Sequence, residues 1–198
     1  MPVVKGNESS PTVPRGGRDA ADDAVLIGRV ARGDVPAFES LYRRYGPRVR
    51  RFLEQRTRRP HLIDEILNDT MLVIWRSAGT FKVKSAVSTW ILGIAWRRGL
   101  KAIARADRSN ALDPDECAGP ANLEEHVFRN ELRAQLEHAL ESLSPEQRTV
   151  LVLTYFEGYS CREIAGIVGC PVDTVKTRMF HARRRLKALL TDRKEDAA

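Results

Sequence analysis

Apolar residues recur three and four positions apart through most of this chain. Phe38, Leu41, Tyr42, Tyr45, Val49, Phe52 and Leu53 fall on one face of a helical wheel. Gly46-Pro47 sits in their midst and predicts a kink or a break. Leu62, Ile63, Ile66, Leu67, Ile74 and Trp75 make a second amphipathic stretch, and its early polar residues Asp64, Glu65, Asn68 and Asp69 suit the positive end of a helix dipole. A third helix is predicted from about Ser88 through Ala104, with Trp90, Ile91, Ile94, Ala95 and Ile103 as buried candidates. No stretch alternates apolar and polar residues long enough for a half-buried strand. The predicted class is all-α.

Start and stop signals are clearest further on. Ser144-Pro145-Glu146-Gln147 and Ser160-Cys161-Arg162-Glu163 each read as a capping box. Gly158 and Gly169 stand where helices end in a left-handed turn, and Pro171 follows the second of them. The last helix, Val172 to Leu190, sets Val175, Met179, Ala182, Leu186 and Leu189 on one face. Lys176, Arg178, His181, Arg183, Arg184 and Arg185 lie on the other. A short helix, a tight turn and a longer basic helix form a helix-turn-helix, whose second helix enters the major groove. Thr174, Lys176, Thr177, Phe180 and His181, early in that helix, are the residues placed to reach base edges. Arg183 to Arg185 are placed for phosphates.

Charge divides the chain as the helices do. The 198 residues carry a net charge of +7. Residues 24–105 hold 17 basic and 6 acidic side chains, residues 106–128 hold 1 and 6, and residues 129–190 hold 10 and 7. A basic surplus of this kind fits a polyanionic partner. The expected organisation is two small helical domains, 24–105 and 129–190, joined by a flexible acidic linker, 106–128. A disordered tail (1–23) precedes them and a short tail (191–198) follows. The linker is expected to lie weakly on the cationic surfaces. Cys117, Cys161 and Cys170 are too few for a disulfide framework, and no apolar run has bilayer length. A reduced, cytoplasmic chain without membrane insertion is expected. The four histidines are scattered, Cys161, Cys170 and His181 lack zinc spacing, and no phosphate-cradling glycine loop occurs. No enzyme activity, metal or cofactor is expected.

Three strings in the second block resemble region 4 of the extracytoplasmic-function (ECF) sigma factors, of the sigma-70 family of bacterial RNA polymerase. They are Leu143-Ser-Pro-Glu-Gln-Arg148, Tyr155-Phe-Glu-Gly-Tyr-Ser-Cys-Arg-Glu-Ile-Ala165 and Gly169-Cys-Pro-Val-Asp-Thr-Val-Lys-Thr-Arg-Met-Phe-His-Ala-Arg-Arg-Arg-Leu186. The first block is similar to region 2 in Phe38-Glu-Ser-Leu-Tyr-Arg-Arg-Tyr45, Asp64-Glu-Ile-Leu-Asn-Asp-Thr70 with Ile74-Trp75, and Ser88-Thr-Trp-Ile-Leu-Gly-Ile-Ala-Trp-Arg97. The resemblance covers residues 24–190 apart from the linker. It implies that Asp64, Glu65, Asn68 and Asp69 dock on the β′ coiled coil of core polymerase, while region 4 meets the β flap. It further implies that the loop of residues 80–87 takes extruded −10 bases, with Phe81, Lys82, Lys84, Ser85, Arg97, Arg98 and Lys101 as its DNA contacts. The −35 contacts would be Ser160, Arg162, Thr174, Lys176, Thr177, Arg178, Phe180, His181 and Arg184. An anti-sigma factor is a further partner that the family commonly has.

Two features bear on that reading. The family's −10 loop often reads Phe-Arg-Gly-Glu-Ser-Ser-Phe-x-Thr-Trp, whereas here Phe81-Lys-Val-Lys-Ser-Ala-Val-Ser-Thr-Trp90 lacks the glycine, the acid and the second aromatic. Trp75, Trp90 and Trp96 are expected in the core rather than as stacking platforms. The alternative is an autonomous helix-turn-helix regulator. That would call for a sensor or dimerisation domain in place of a +11 helical unit with an acidic docking helix, so a promoter-specificity subunit is the expected function.

Overall fold

The computed structural model describes residues 17–83, 85–110, 139–140 and 142–195. Helices α1 (Gly17–Val30), α2 (Val35–Glu54), α3 (Pro60–Ser77) and α4 (Val87–Asn110) build the first unit, with a 3-10 turn at Ala78–Thr80. Helices α5 (Pro145–Tyr155), α6 (Cys161–Val168) and α7 (Val172–Glu195) build the second. No strand occurs among the described residues.

Several boundaries differ from the sequence expectation for physical reasons. Helix α1 begins at Gly17, inside the stretch expected to be disordered through Asp23. It docks because Ile27 and Val30 are buried and because Asp23, only 7% exposed, accepts hydrogen bonds from the Tyr45 hydroxyl and from Arg44 Nη1, the latter at 2.6 Å. Burial, followed by that bond to Asp23, pushes the Tyr45 phenol well above its ordinary pKa. Helix α2 is capped by Asp34, whose Oδ1 accepts from the Ala37 amide at 3.0 Å. It then runs unbroken through Gly46-Pro47. Tyr45 and Val49 are buried on either side, while Pro47 faces solvent. Helix α3 starts at Pro60, so Asp64 and Glu65 lie beyond the first turn, where the dipole acts most strongly. Helix α4 continues past residue 105 to Asn110, and Asp107 pairs with Arg59 at 3.0 Å. Helix α7 continues past residue 190 to Glu195. Residues 111–128 of the acidic linker, Cys117 among them, lie outside the described residues.

The core of the first unit joins Leu41, Val49 and Leu53 of α2 to Ile66 and Ile74 of α3 and Ile91 of α4. That of the second gathers Val150, Leu153, Tyr159, Ile164, Ile167 and Val175. The two cores are continuous, because α6 lies along α4. Trp96 is buried against Phe52 and beneath the Arg56 guanidinium, 4.6 Å from its ring centre. Trp75 and Trp90 are half-buried, packed on Phe38 and Phe81 at centroid distances of 5.1 and 5.3 Å.

The Asp23 network sets a testable value. Removing its carboxylate strands the buried Tyr45 hydroxyl, a loss of about 1–3 kcal/mol. Asp23→Ala should therefore lower unfolding free energy by about 2 kcal/mol in a urea titration. Adding Tyr45→Phe to it should cost less than the sum of the single changes, and strict additivity would mean the two groups are not coupled.

Candidate nucleic-acid interface

Three surfaces carry the residues singled out by the sequence. On α3, positions 64 and 68 and positions 65 and 69 form two adjacent rows one helical turn long. Asp64 is half-buried and ion-paired with Arg50 of α2, and Glu65 is ion-paired with Arg105 of α4. Asn68 Oδ1 accepts from the Tyr42 hydroxyl at 3.5 Å. Asp69 is exposed and, with Glu65, lines a groove of about 530 Å³ whose other wall includes Arg98, Lys101, Arg105 and Arg108. The acids are thus already opposed by cations of their own unit, a pairing that spacing alone did not reveal.

Beside them lies an apolar groove of about 400 Å³ lined by Val35, Phe38, Tyr42, Met71, Leu72 and Trp75. Sequence reasoning missed it. The signal available was Leu72, an apolar residue off the buried stripe of α3 and 44% exposed.

The second surface follows the 3-10 turn. Phe81 is half-buried on Trp90, whereas Lys82 and Ser85 are exposed, and Val83 at the loop tip is 84% exposed. Lys84 lies outside the described residues. Arg97, Arg98 and Lys101 project from α4 into solvent, and Arg98 and Lys101 share the groove with Glu65 and Asp69. The loop leads into the start of α4 and the basic stripe stands on its far half, with the buried run 91–96 between them.

The third surface is the helix-turn-helix. Both capping boxes form. Ser144 Oγ accepts from the Gln147 amide at 3.2 Å, and Ser160 Oγ accepts from the Glu163 amide at 3.3 Å. Gly169 closes α6 with φ +71°, a conformation that excludes most side chains, and its amide donates to the Ala165 carbonyl at 2.9 Å. On α7, positions 177, 180, 181 and 184 form one stripe, flanked by Lys176, and all five side chains are exposed. Phe180 is 61% exposed and meets His181 edge-on at 5.5 Å. Lys176 Nζ donates to Asp173 at 3.2 Å, and Thr177 Oγ1 to the Asp173 carbonyl at 2.9 Å. Thr174 and Arg178 are half-buried to the side, and Arg178 Nη1 sits 3.8 Å from Cys170 Sγ. Ser160 is engaged in its cap, whereas Arg162 is exposed. Arg183 lies over the Tyr155 ring at 5.6 Å. Among the described residues no three His, Cys, Asp or Glu side chains gather as a metal site, and no helix is long and apolar enough to cross a membrane.

A helix-turn-helix with a cationic recognition helix, joined to a basic helical unit that carries an acid-lined groove, defines a DNA-binding protein of two-part design. The Sigma-70 region 2 model matches residues 41–109, and the Sigma-70, region 4 model matches residues 133–186. The chain is 33% identical over 180 residues to the ECF RNA polymerase sigma factor SigM of Mycobacterium tuberculosis, covering 91% of this chain and 90% of that one. It is 30% identical over 179 residues to the ECF RNA polymerase sigma-E factor of Escherichia coli, covering 83% and 92%. In fold it is similar to CnrH, solved in complex with the cytosolic domain of CnrY, with TM-score 0.63, 24% identity and 86% and 98% coverage. It is likewise similar to the sigma factor RpoE of Bartonella quintana, solved with the anti-sigma factor NepR, with TM-score 0.62, 23% identity and 79% and 98% coverage. The chain belongs to the ECF sigma factors, and its function is promoter-specific initiation of transcription.

The Ser160 cap separates a structural role from a DNA contact. Ser160→Ala should reduce unfolding free energy by about 1 kcal/mol, and Ser160→Asn should restore most of it because asparagine caps equally well. Equal stability of the alanine variant in thermal melts would contradict the cap.

Proposed function

We propose that residues 24–105 act as region 2 and residues 129–190 as region 4, each using the surface described for it. Asp64, Glu65, Asn68 and Asp69 would engage a cationic surface of the polymerase β′ coiled coil, with the neighbouring apolar groove adding contact area. Support comes from charge. This acid-lined wall lies in a unit of net +11, where carboxylates serve register and steering toward a basic partner. Glu65 and Asp64 would exchange Arg105 and Arg50 for partner cations, and exposed pairs of this kind hold only about 0–1 kcal/mol.

The loop from Phe81 through Lys82 and Ser85 would take −10 bases out of the stack, with Arg97, Arg98 and Lys101 along the backbone. Extruding a base costs a few kcal/mol, which these contacts must offset. In region 4, Lys176, Thr177, Phe180 and His181 would face −35 bases and Arg184 the phosphates. The observation that carries the reading is the single exposed stripe on α7 that joins them. Thr174, Arg178, Ser160 and Arg162 would flank that contact. The bond-forming chemistry belongs to the polymerase, so the chain would act as a non-catalytic subunit in the cytoplasm. The similar fold of RpoE, solved with the anti-sigma factor NepR, supports such a factor as a further partner.

Two expectations test this. Charge reversal at Asp64, Glu65 and Asp69 together should weaken core binding at least tenfold with an unchanged circular dichroism spectrum; undiminished affinity in a titration would remove the acids from the interface. Lys176→Ala should change which −35 sequences are selected, at roughly 1–3 kcal/mol for the base concerned. Arg184→Ala should instead lower output from all promoters alike and reduce the salt slope by about one unit. The opposite pattern in promoter selection would place α7 in another register.

A further inference from the structure

Helix α7 turns two faces to different tasks. Val175, Met179 and Ala182 are buried in the core of the second unit, which meets the packing needs of the helix itself. Phe180 lies off that stripe and is 61% exposed, so the fold does not use it as core. Its neighbours on the outer face, Lys176, Thr177, His181 and Arg184, are exposed and polar or charged. A phenyl ring left in water forgoes the gain of burial, and on a face that meets DNA that gain is realised when the duplex arrives.

The surroundings of the ring narrow what it can read. Thr177, one turn earlier, donates its hydroxyl proton to the Asp173 carbonyl at 2.9 Å. It therefore brings no free donor to the side of Phe180. Lys176 Nζ is drawn back to the Asp173 carboxylate at 3.2 Å. His181 meets the Phe180 ring at 74°, with centroids 5.5 Å apart, and braces one side of it. The stripe is thus apolar at its middle and cationic at its ends, Lys176 and Arg184.

The major groove offers one partner for such a ring. Donors and acceptors line the edges of all four bases, and the apolar group among them is the 5-methyl of thymine. Cytosine carries only hydrogen at that carbon. A phenyl ring laid on the methyl removes both from water. Laid on the edge of another base, it covers polar atoms and gives them no hydrogen bond in return.

We propose that Phe180 recognises the 5-methyl group of a thymine in the −35 element and so sets the choice at one base pair by apolar contact rather than by hydrogen bonding. This rests on the reading of α7 as the −35 helix and names the chemical group that the helix reads. Holoenzyme assembled from core polymerase and the full chain tests it. The probe is the −35 element returned by promoter selection, with each thymine replaced singly by deoxyuridine, which pairs identically and lacks only the methyl. At one position the replacement should weaken wild-type binding about fourfold, the equivalent of one methyl group left unburied. Phe180→Ala, with an unchanged circular dichroism spectrum, should bind thymine and deoxyuridine there alike, and Phe180→Leu, still apolar, should keep most of the difference. A wild type indifferent to every deoxyuridine, or a Phe180→Ala variant as sensitive as the wild type, would overturn the proposal. Failure of the underlying −35 reading would look different: selection with the wild-type holoenzyme would return no −35 block at all.

Discussion

Helix α4 is buried at six successive positions, residues 91–96, and this constraint shapes the rest of the molecule. Successive residues step about 100° around a helix, so such a run presents apolar surface on all sides and must be covered on all sides. Helices α2 and α3 cover one side through Leu53, Ile66 and Ile74, and α6 covers the other where Gly93 allows its backbone to approach. Only beyond Trp96 does α4 emerge into solvent, which is where Arg97, Arg98, Lys101 and Arg105 stand. The helix divides along its length into a packed half and a cationic half, and the loop that carries Phe81 enters at its packed end.

Electrostatics follows a similar economy. The first unit holds +11 charges, yet its acids on α3 are placed against its own arginines. These pairs keep the acid-lined wall of α3 locally neutral. Each is largely exposed and so holds only about 0–1 kcal/mol. The ion pairs between the units are more enclosed, and Arg48 with Glu157 couples the turn before α6 to the middle of α2.

Much of this architecture could be read from the sequence, because the deciding signals are local. Both capping boxes and the Gly169 turn formed where Ser144, Ser160 and the glycine announced them. The apolar faces of α2, α3 and α7 follow from spacing alone. Pro47 does not break α2, since burial of Tyr45 and Val49 offsets one missing backbone bond. Asp23, an acid in a polar leader, looks like solvated chain until Tyr45 and Arg44 are brought to it from about twenty residues away. What local signals could not carry were pairings across the fold, notably Glu65 with Arg105, the groove beside Leu72, and Gly93 against Gly166. The exposed stripe on α7 was visible in its spacing. The half-burial of Arg178, which reaches Cys170, was not.

The central claim is that two separated surfaces of one chain specify a promoter only together with polymerase. Transcription from a randomised promoter library by purified core polymerase plus this protein, with sequencing of the selected templates, tests that most directly. The account predicts two short conserved blocks at a fixed spacing, recovered only when core polymerase and the chain are both present. A single block, or the same selection by the chain alone in a binding assay, would contradict it.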